Sequence, residues 1–179
     1  DDTPGVIDST VEMVSNMNGD SAPLRFANVD AKMYGFDTDY GIQLSSNWRI
    51  EGVVSVVRGE RRDINDNLYR ISPDRFSLGL IYERNQWMVN LESVLVGEQD
   101  NISRTNSEQW TPGHGLLNLY THWRAKAGLL LSLGFENILD HEYRDHLSGY
   151  NRIADSDIAV GERLPGTGRN VYLRLQLRR

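Results

Sequence analysis

The sequence lacks cysteine, lacks a basic excess, and lacks any apolar run long enough to cross a bilayer as a helix. Without cysteine there is no disulfide framework, no thiolate metal site and no cysteine nucleophile. A spanning helix needs about 18 consecutive apolar residues. The richest runs, Val53–Val57 and Leu129–Leu133, are short and are each interrupted by a serine. A helical membrane protein is therefore excluded. The balance of 19 Lys and Arg against 25 Asp and Glu gives a net charge of −6, which argues against a nucleic-acid partner. No Gly-x-Ser-x-Gly elbow and no phosphate-cradling glycine loop is present, and the Ser and His residues form no legible triad. Neither an enzymatic activity nor a cofactor is expected. The chain opens on Asp1-Asp2-Thr3-Pro4 with no initiator Met or apolar leader, and is expected to be a processed product or an excised piece.

What the sequence does have is a period of two. From Tyr34 to Leu44 one face reads Tyr34, Phe36, Thr38, Tyr40, Ile42, Leu44; the other reads Gly35, Asp37, Asp39, Gly41, Gln43. The alternation recurs around Trp48–Val56, Phe76–Glu83, Trp87–Leu95, Leu117–Arg124, Leu129–Glu136 and Asn170–Arg178, with a weaker candidate at Val6–Val14. Strict alternation marks strands with unlike faces. The class is all-β, with seven or eight antiparallel strands.

Two architectures share this pattern: a soluble barrel or sandwich with the apolar face inside, and a membrane barrel with it outside. Connection lengths separate them. Those at Ser45–Asn47, Arg84-Asn85 and Ala125–Gly128 are tight, whereas those near Asn16–Leu24, Arg58–Asp74, Gly97–Gly115 and Asp140–Gly168 are long and polar. Short and long connections alternate, as in outer-membrane barrels with short periplasmic turns and long external loops. Trp48, Tyr82, Trp87 and Trp123 each lie near a short turn with the parity of the apolar face. That placement suits an aromatic girdle at one membrane interface. A transmembrane barrel wall is the expectation. The modest 39% hydrophobic content suffices because each strand needs only one apolar face.

Three segments carry a family resemblance. Phe135-Glu136-Asn137-Ile138-Leu139-Asp140, followed by Tyr143, is similar to the "(V/L)xNLFDxxY" pattern near the C-terminus of TonB-dependent outer-membrane receptors. Leu164-Pro165-Gly166-Thr167-Gly168-Arg169-Asn170 resembles their "PGRxxxxxxxxxF" ending, with Thr167 inserted between the glycines. Asn28–Asp37 resembles their "NxxxAxxxGxE" strand. The resemblance implies a 22-stranded barrel with an N-terminal plug and a TonB-engaging segment, embedded in outer-membrane lipid of a Gram-negative bacterium. Residues 1–179 would then be a C-terminal barrel segment, without the plug or the earlier strands. By the same resemblance the whole receptor takes up a ferric siderophore or copper complex, with the long loops helping to capture it. Family members commonly end in an aromatic residue, whereas this sequence ends in Arg179: either the receptor is atypical or its true end lies further on. A complete eight-stranded barrel with a structural or adhesion role is the alternative.

The motif residues suit structural work. Asn137 and Asp140 fit the start of a loop, Tyr143 is expected at the outer membrane interface, and Pro165, Gly166 and Arg169 fit the return into the last strand. For metal contact, His141, His146 and Asp145 share the acidic last loop, and Met13 and Met17 flank the first. Imidazole, carboxylate and thioether are ligand types for transition metals. The spacing matches no compact ligand set, so a solvated loop and strand-filling methionines are the plainer readings. Asp37, Asp39, Glu51, Glu83, Glu92 and Glu136 share the lumen face with Arg49, Arg75, Arg124, Arg174 and Arg178, where cross-strand ion pairs are expected.

Overall fold

The computed structural model describes residues 28–126 and 128–177, and these form a single antiparallel sheet. Its strands are β1 (Ala31–Gln43), β2 (Trp48–Arg61), β3 (Arg75–Arg84), β4 (Trp87–Val96), β5 (His114–Lys126), β6 (Leu129–Glu136) and β7 (Asn170–Leu177). They pair in sequence order, each hydrogen-bonded to the next, so β1 and β7 are the edges of the described sheet. Met13, Met17 and the Val6–Val14 candidate strand lie outside the described residues, as do Arg178 and Arg179. No helix among the described residues is long and apolar enough to cross a membrane.

Register turns the period-two pattern into continuous rows. Ile42, Ile50, Leu80, Leu91, Leu119, Phe135 and Val171 are successive cross-strand partners, one from each of the seven strands. The adjoining row on the other face runs Gly41, Glu51, Gly79, Glu92, Asn118. A slip of one residue in a strand would turn its polar face into the apolar row, Glu51 of β2 and Glu92 of β4 included, so the pattern itself locks the pairing. Near the last short turn the register shifts between Arg124 and Lys126, which adds a local irregularity to β5.

Exposure is the reverse of a soluble barrel. On the apolar face Phe36 is 55% exposed and Leu175 61%, while on the polar face Asn118 and Ser132 are each 7% exposed. A bare apolar wall backed by a buried polar face is what a lipid-facing sheet requires, since lipid takes the place of a packed core.

The polar face corrects one expectation. Two of its carboxylates are held by amides: Asn118 donates to Glu92 (2.9 Å) and Asn170 to Glu136 (3.1 Å). Arg49 pairs with Glu51 at 2.6 Å, but along β2 rather than across strands. The register is the reason: it sets Asn118 opposite Glu92 and Asn170 opposite Glu136, with no arginine among the described residues directly across from either. Gly134 has a similar local reason. A Cβ there would fall 2.4 Å from the ring of Tyr172, its cross-strand partner, so the missing side chain is what lets that ring lie across β6.

β2 runs three residues past the expected start of its loop at Arg58, because Lys32, Tyr34 and neighbouring β1 residues continue to pair with Arg61–Arg58. Charged strand ends of this kind suit a wall that projects above the bilayer. Three long connections remain on that side: loop A (62–74), loop B (97–113) and loop C (137–169).

Candidate functional site

The three long loops are bonded into a collar over one end of the sheet. Loops A and B meet at Asp66, whose carboxylate accepts the backbone N–H groups of Arg104 (2.8 Å) and Thr105 (2.9 Å). Asn67 donates to the Ile102 carbonyl (3.2 Å), and Gln99 donates to the Ile71 carbonyl (2.9 Å). The Thr105 hydroxyl, and after it the backbone donors of Thr105, Arg104 and Asn67, hold the Asp66 carboxyl well below the usual carboxylate range.

Loops B and C meet at a buried histidine. His146 is 2% exposed; its Nδ1 lies 2.9 Å from the Thr111 hydroxyl and its Nε2 3.1 Å from Glu108 Oε1. An ionised Glu108 can only accept, so Nε2 carries the proton and Nδ1 accepts from Thr111. Burial pushes the His146 pKa down from the ordinary 6.5, against the opposing pull of Glu108, so the neutral ring dominates at pH 7. Arg163, also buried, anchors loop C to itself and to loop B. Its guanidinium donates to the carbonyls of His146, Ser148 (3.2 Å) and Gln109 (3.3 Å) and to the Tyr150 hydroxyl (2.6 Å). It also lies 4.6 Å from the Tyr150 ring centre, a cation–π distance.

The start of loop C is shaped by the motif residues. Asn137, 3% exposed with φ +48°, accepts the His141 N–H (2.9 Å) and donates to the carbonyls of His141 (2.9 Å) and Thr167 (3.3 Å). Its own N–H donates to Asn118 Oδ1 at 2.9 Å. Asp140, φ +54°, accepts the Arg169 N–H at 2.9 Å and so ties both ends of loop C together. Asn and Asp are the residues that enter the left-handed region most readily outside glycine. The Ile138 N–H donates to the Leu117 carbonyl, Leu139 is exposed, and Pro165 is exposed beside Gly166.

Tyr143 packs against the polar-face side of the sheet. Its ring stacks on His114, 4.5 Å between centres, and His114 has the parity of the polar face. Gly166 lies against the same ring, where a Cβ would fall 2.2 Å from it, and donates its N–H to the Tyr143 carbonyl. The facing of a loop residue is set by such contacts and not by strand parity.

Of the metal candidates, His141 is exposed, Asp145 accepts the Leu147 N–H (2.8 Å), and both nitrogens of His146 are engaged. Among the described residues, no group of three or more His, Asp or Glu is placed to hold a metal ion. A hollow of about 390 Å³ opens between loops B and C, walled by Trp110, Pro112, Glu142, Tyr143, Arg144 and Glu162. Trp110 is half exposed there, and Arg144 and Glu162 sit 3.6 Å apart. At the opposite end of the wall, on the apolar face, Trp48 and Tyr82 approach to 4.8 Å and Trp87 stacks on Trp123 at 5.6 Å. Sequence reading missed Glu108, Thr111, Arg163 and Asp66, the residues that hold the collar together. They lie in aperiodic polar segments and meet partners more than 15 residues away, except where Arg163 closes its own loop.

Comparison with known proteins decides the family. The family model described as TonB dependent receptor-like, beta-barrel matches residues 2–138. The chain belongs to the TonB-dependent receptors. No curated protein sequence matches it. Among solved structures it is similar to "Copper transporter OprC", with a TM-score of 0.80 and 25% identity over 84% of this chain and 24% of that one. It also shares the fold of the ferric yersiniabactin uptake receptor FyuA from Yersinia pestis, with a TM-score of 0.59 and 17% identity over 82% of this chain and 23% of that one. A third is the ferripyoverdine receptor of the Pseudomonas aeruginosa outer membrane, with a TM-score of 0.58 and 15% identity over 82% and 19%. The chain thus spans about a quarter or less of these relatives. Membership places the seven strands in the outer membrane of a Gram-negative bacterium, in a family of transporters and not of enzymes.

Proposed function

We propose that these strands are the C-terminal wall of a larger receptor barrel whose loops help to capture a metal complex for uptake. Supporting the segment reading, β1 and β7 are edges of the described sheet, and an open edge facing lipid calls for further strands. The remaining barrel, a plug inside it and TonB beneath it are the partners this reading requires, with outer-membrane lipid around the wall. The cargo is a ferric siderophore or a copper complex. The observation that carries this is the likeness to the copper transporter OprC, which extends over 84% of the chain at a TM-score of 0.80. The hollow beside Trp110 and Arg144 supplies an aromatic face and a cation on the collar, chemistry that suits a chelate better than a bare ion.

Uptake by cells carrying the full-length receptor tests this. Labelled ferric chelates and copper are supplied in turn, with and without the proton-motive force. Energy-dependent accumulation of one of them is the expected result. Accumulation of none, with the receptor present in the membrane, overturns the cargo class. A native gene encoding only a signal peptide and these strands would instead favour a small closed barrel.

A further inference from the structure

We propose that loops A, B and C form one cooperative unit whose keystone is the Glu108 carboxylate. Glu108 is 6% exposed, yet its two oxygens reach all three loops. Oε1 accepts the Arg70 N–H of loop A (2.9 Å) and faces His146 Nε2 of loop C (3.1 Å). Oε2 accepts the Ser103 N–H within loop B (2.9 Å). Among the described residues no other collar contact joins three loops through one side chain: Asp66 ties A to B, and Arg163 ties B to C.

The backbone is bent to serve this carboxylate. Arg70 has φ +60° and Ser107, the residue before Glu108, has φ +51°. A non-glycine residue in that region is strained and persists where surrounding bonds enforce it. Arg70 at this φ directs its N–H onto Glu108 while its guanidinium donates to the Leu147 carbonyl of loop C. Ser103, the other backbone donor, is 1% exposed, and His146 is 2% exposed. Two of the three donors, the Ser103 N–H of loop B and His146 of loop C, are therefore sealed from water, while Arg70 is exposed and loop A is held to the carboxylate through its N–H. Buried donors stripped of an acceptor are costly, so losing Glu108 loosens three loops together.

The consequence for capture is mechanical and holds whatever the cargo. Loops that open separately order one at a time around a ligand. Loops keyed to one buried charge share a single opening equilibrium, so a contact on any of them stabilises all three.

Hydrogen–deuterium exchange on the full-length receptor in detergent or outer-membrane vesicles tests the coupling. In the wild-type protein, peptides containing Arg70, Ser103 and Asn151 are expected to share one protection level; levels differing by more than about a hundredfold would mean separate opening and overturn the proposal. In Glu108→Gln, which keeps the shape and removes the charge, all three peptides should exchange at least about tenfold faster. Faster exchange confined to the loop B peptide would overturn it. Asp63→Asn is the contrast, because Asp63 bonds to Arg61 beside it; its effect should stay near residues 61–66. If Glu108→Gln fails to assemble, the wild-type comparison alone decides.

Discussion

His146 and Glu108 face each other at 3.1 Å with both side chains 1% exposed, the most buried ionisable contact of the loop collar. The pair joins segments 38 residues apart in the sequence and closes loop C onto loop B. Burial lowers the His146 pKa below 6.5, so between that lowered value and 6.5 the opened loop binds more protons than the closed one. Closure is favoured in full above pH 6.5 and is progressively lost as pH falls from there towards the lowered value. Exchange in peptides covering residues 143–151 should accelerate from pH 7.5 to pH 5 beyond the intrinsic trend. His146→Gln should flatten that dependence; an unchanged slope in the variant would show that another group controls it.

Asp66 acts in a different window. Its carboxyl is held below the ordinary 3.8 by donors from loop B, so its contribution is present above pH 3.8 and is lost only as pH falls towards its lowered value. Asp66→Asn should therefore loosen the loop A–B contact at neutral pH and leave the response between pH 7.5 and 5 as in the wild type. Exchange in peptides covering 66–70 and 102–106 reads both.

Asn137 combines a left-handed backbone with three side-chain hydrogen bonds in a nearly sealed position. Alanine keeps none of these bonds and tolerates that φ poorly. Asn137→Ala should cost about 2–4 kcal/mol, the sum expected for stranded polar groups and backbone strain. Glycine should recover the strain and not the bonds, giving an intermediate loss. Heat-induced loss of the compact form on electrophoresis ranks the three proteins; equal behaviour of Ala and Gly would remove the strain argument.

How far the fold could be read ahead of the structure depends on which residues repeat. The row from Ile42 to Val171 was legible because alternation assigns each residue a face without knowledge of its partners. Asn137 and Asp140 were legible as loop shapers because both side chains can satisfy backbone groups locally, as they do for the His141 and Arg169 N–H groups. The end of β2 was not, since Arg58–Arg61 read as a polar loop while pairing with β1 overrode their character. Glu108, His146 and Arg163 were opaque for a deeper reason. Their roles arise from contacts between loops, which no local period encodes, and a buried charge in a polar segment looks like a solvated one until its partners are placed.

Gly166 should tolerate no side chain while Tyr143 keeps its place. A Cβ there would fall 2.2 Å from the ring, which is held from the other side by His114. Gly166→Ala should push Tyr143 off the imidazole at a cost of about 1–3 kcal/mol, the usual range for overpacking. The double variant Gly166→Ala, Tyr143→Leu should recover part of that loss, because the smaller side chain makes room. Thermal stability of the four proteins of this cycle checks it; strictly additive losses would show that the two residues do not meet.

The stacked pair Trp87 and Trp123 sits beside the Asn85-Gln86 turn, on the face that carries the apolar rows. If that end of the wall lies at a headgroup boundary, depth-resolved quenching follows. In a Trp48→Phe, Trp110→Phe background, which leaves Trp87 and Trp123 as the tryptophans of residues 1–179, lipids brominated near the headgroup should quench their fluorescence more than lipids brominated at the chain ends. The ring-to-ring contact should appear separately, as a coupling of about 0.5–1.5 kcal/mol in a cycle of Trp87→Leu and Trp123→Leu. Strong quenching from the chain ends would place the pair at mid-bilayer, and no quenching from either depth would place it away from lipid. Because both residues are partners in one register, a coupling near zero would also question the β4–β5 pairing at that end.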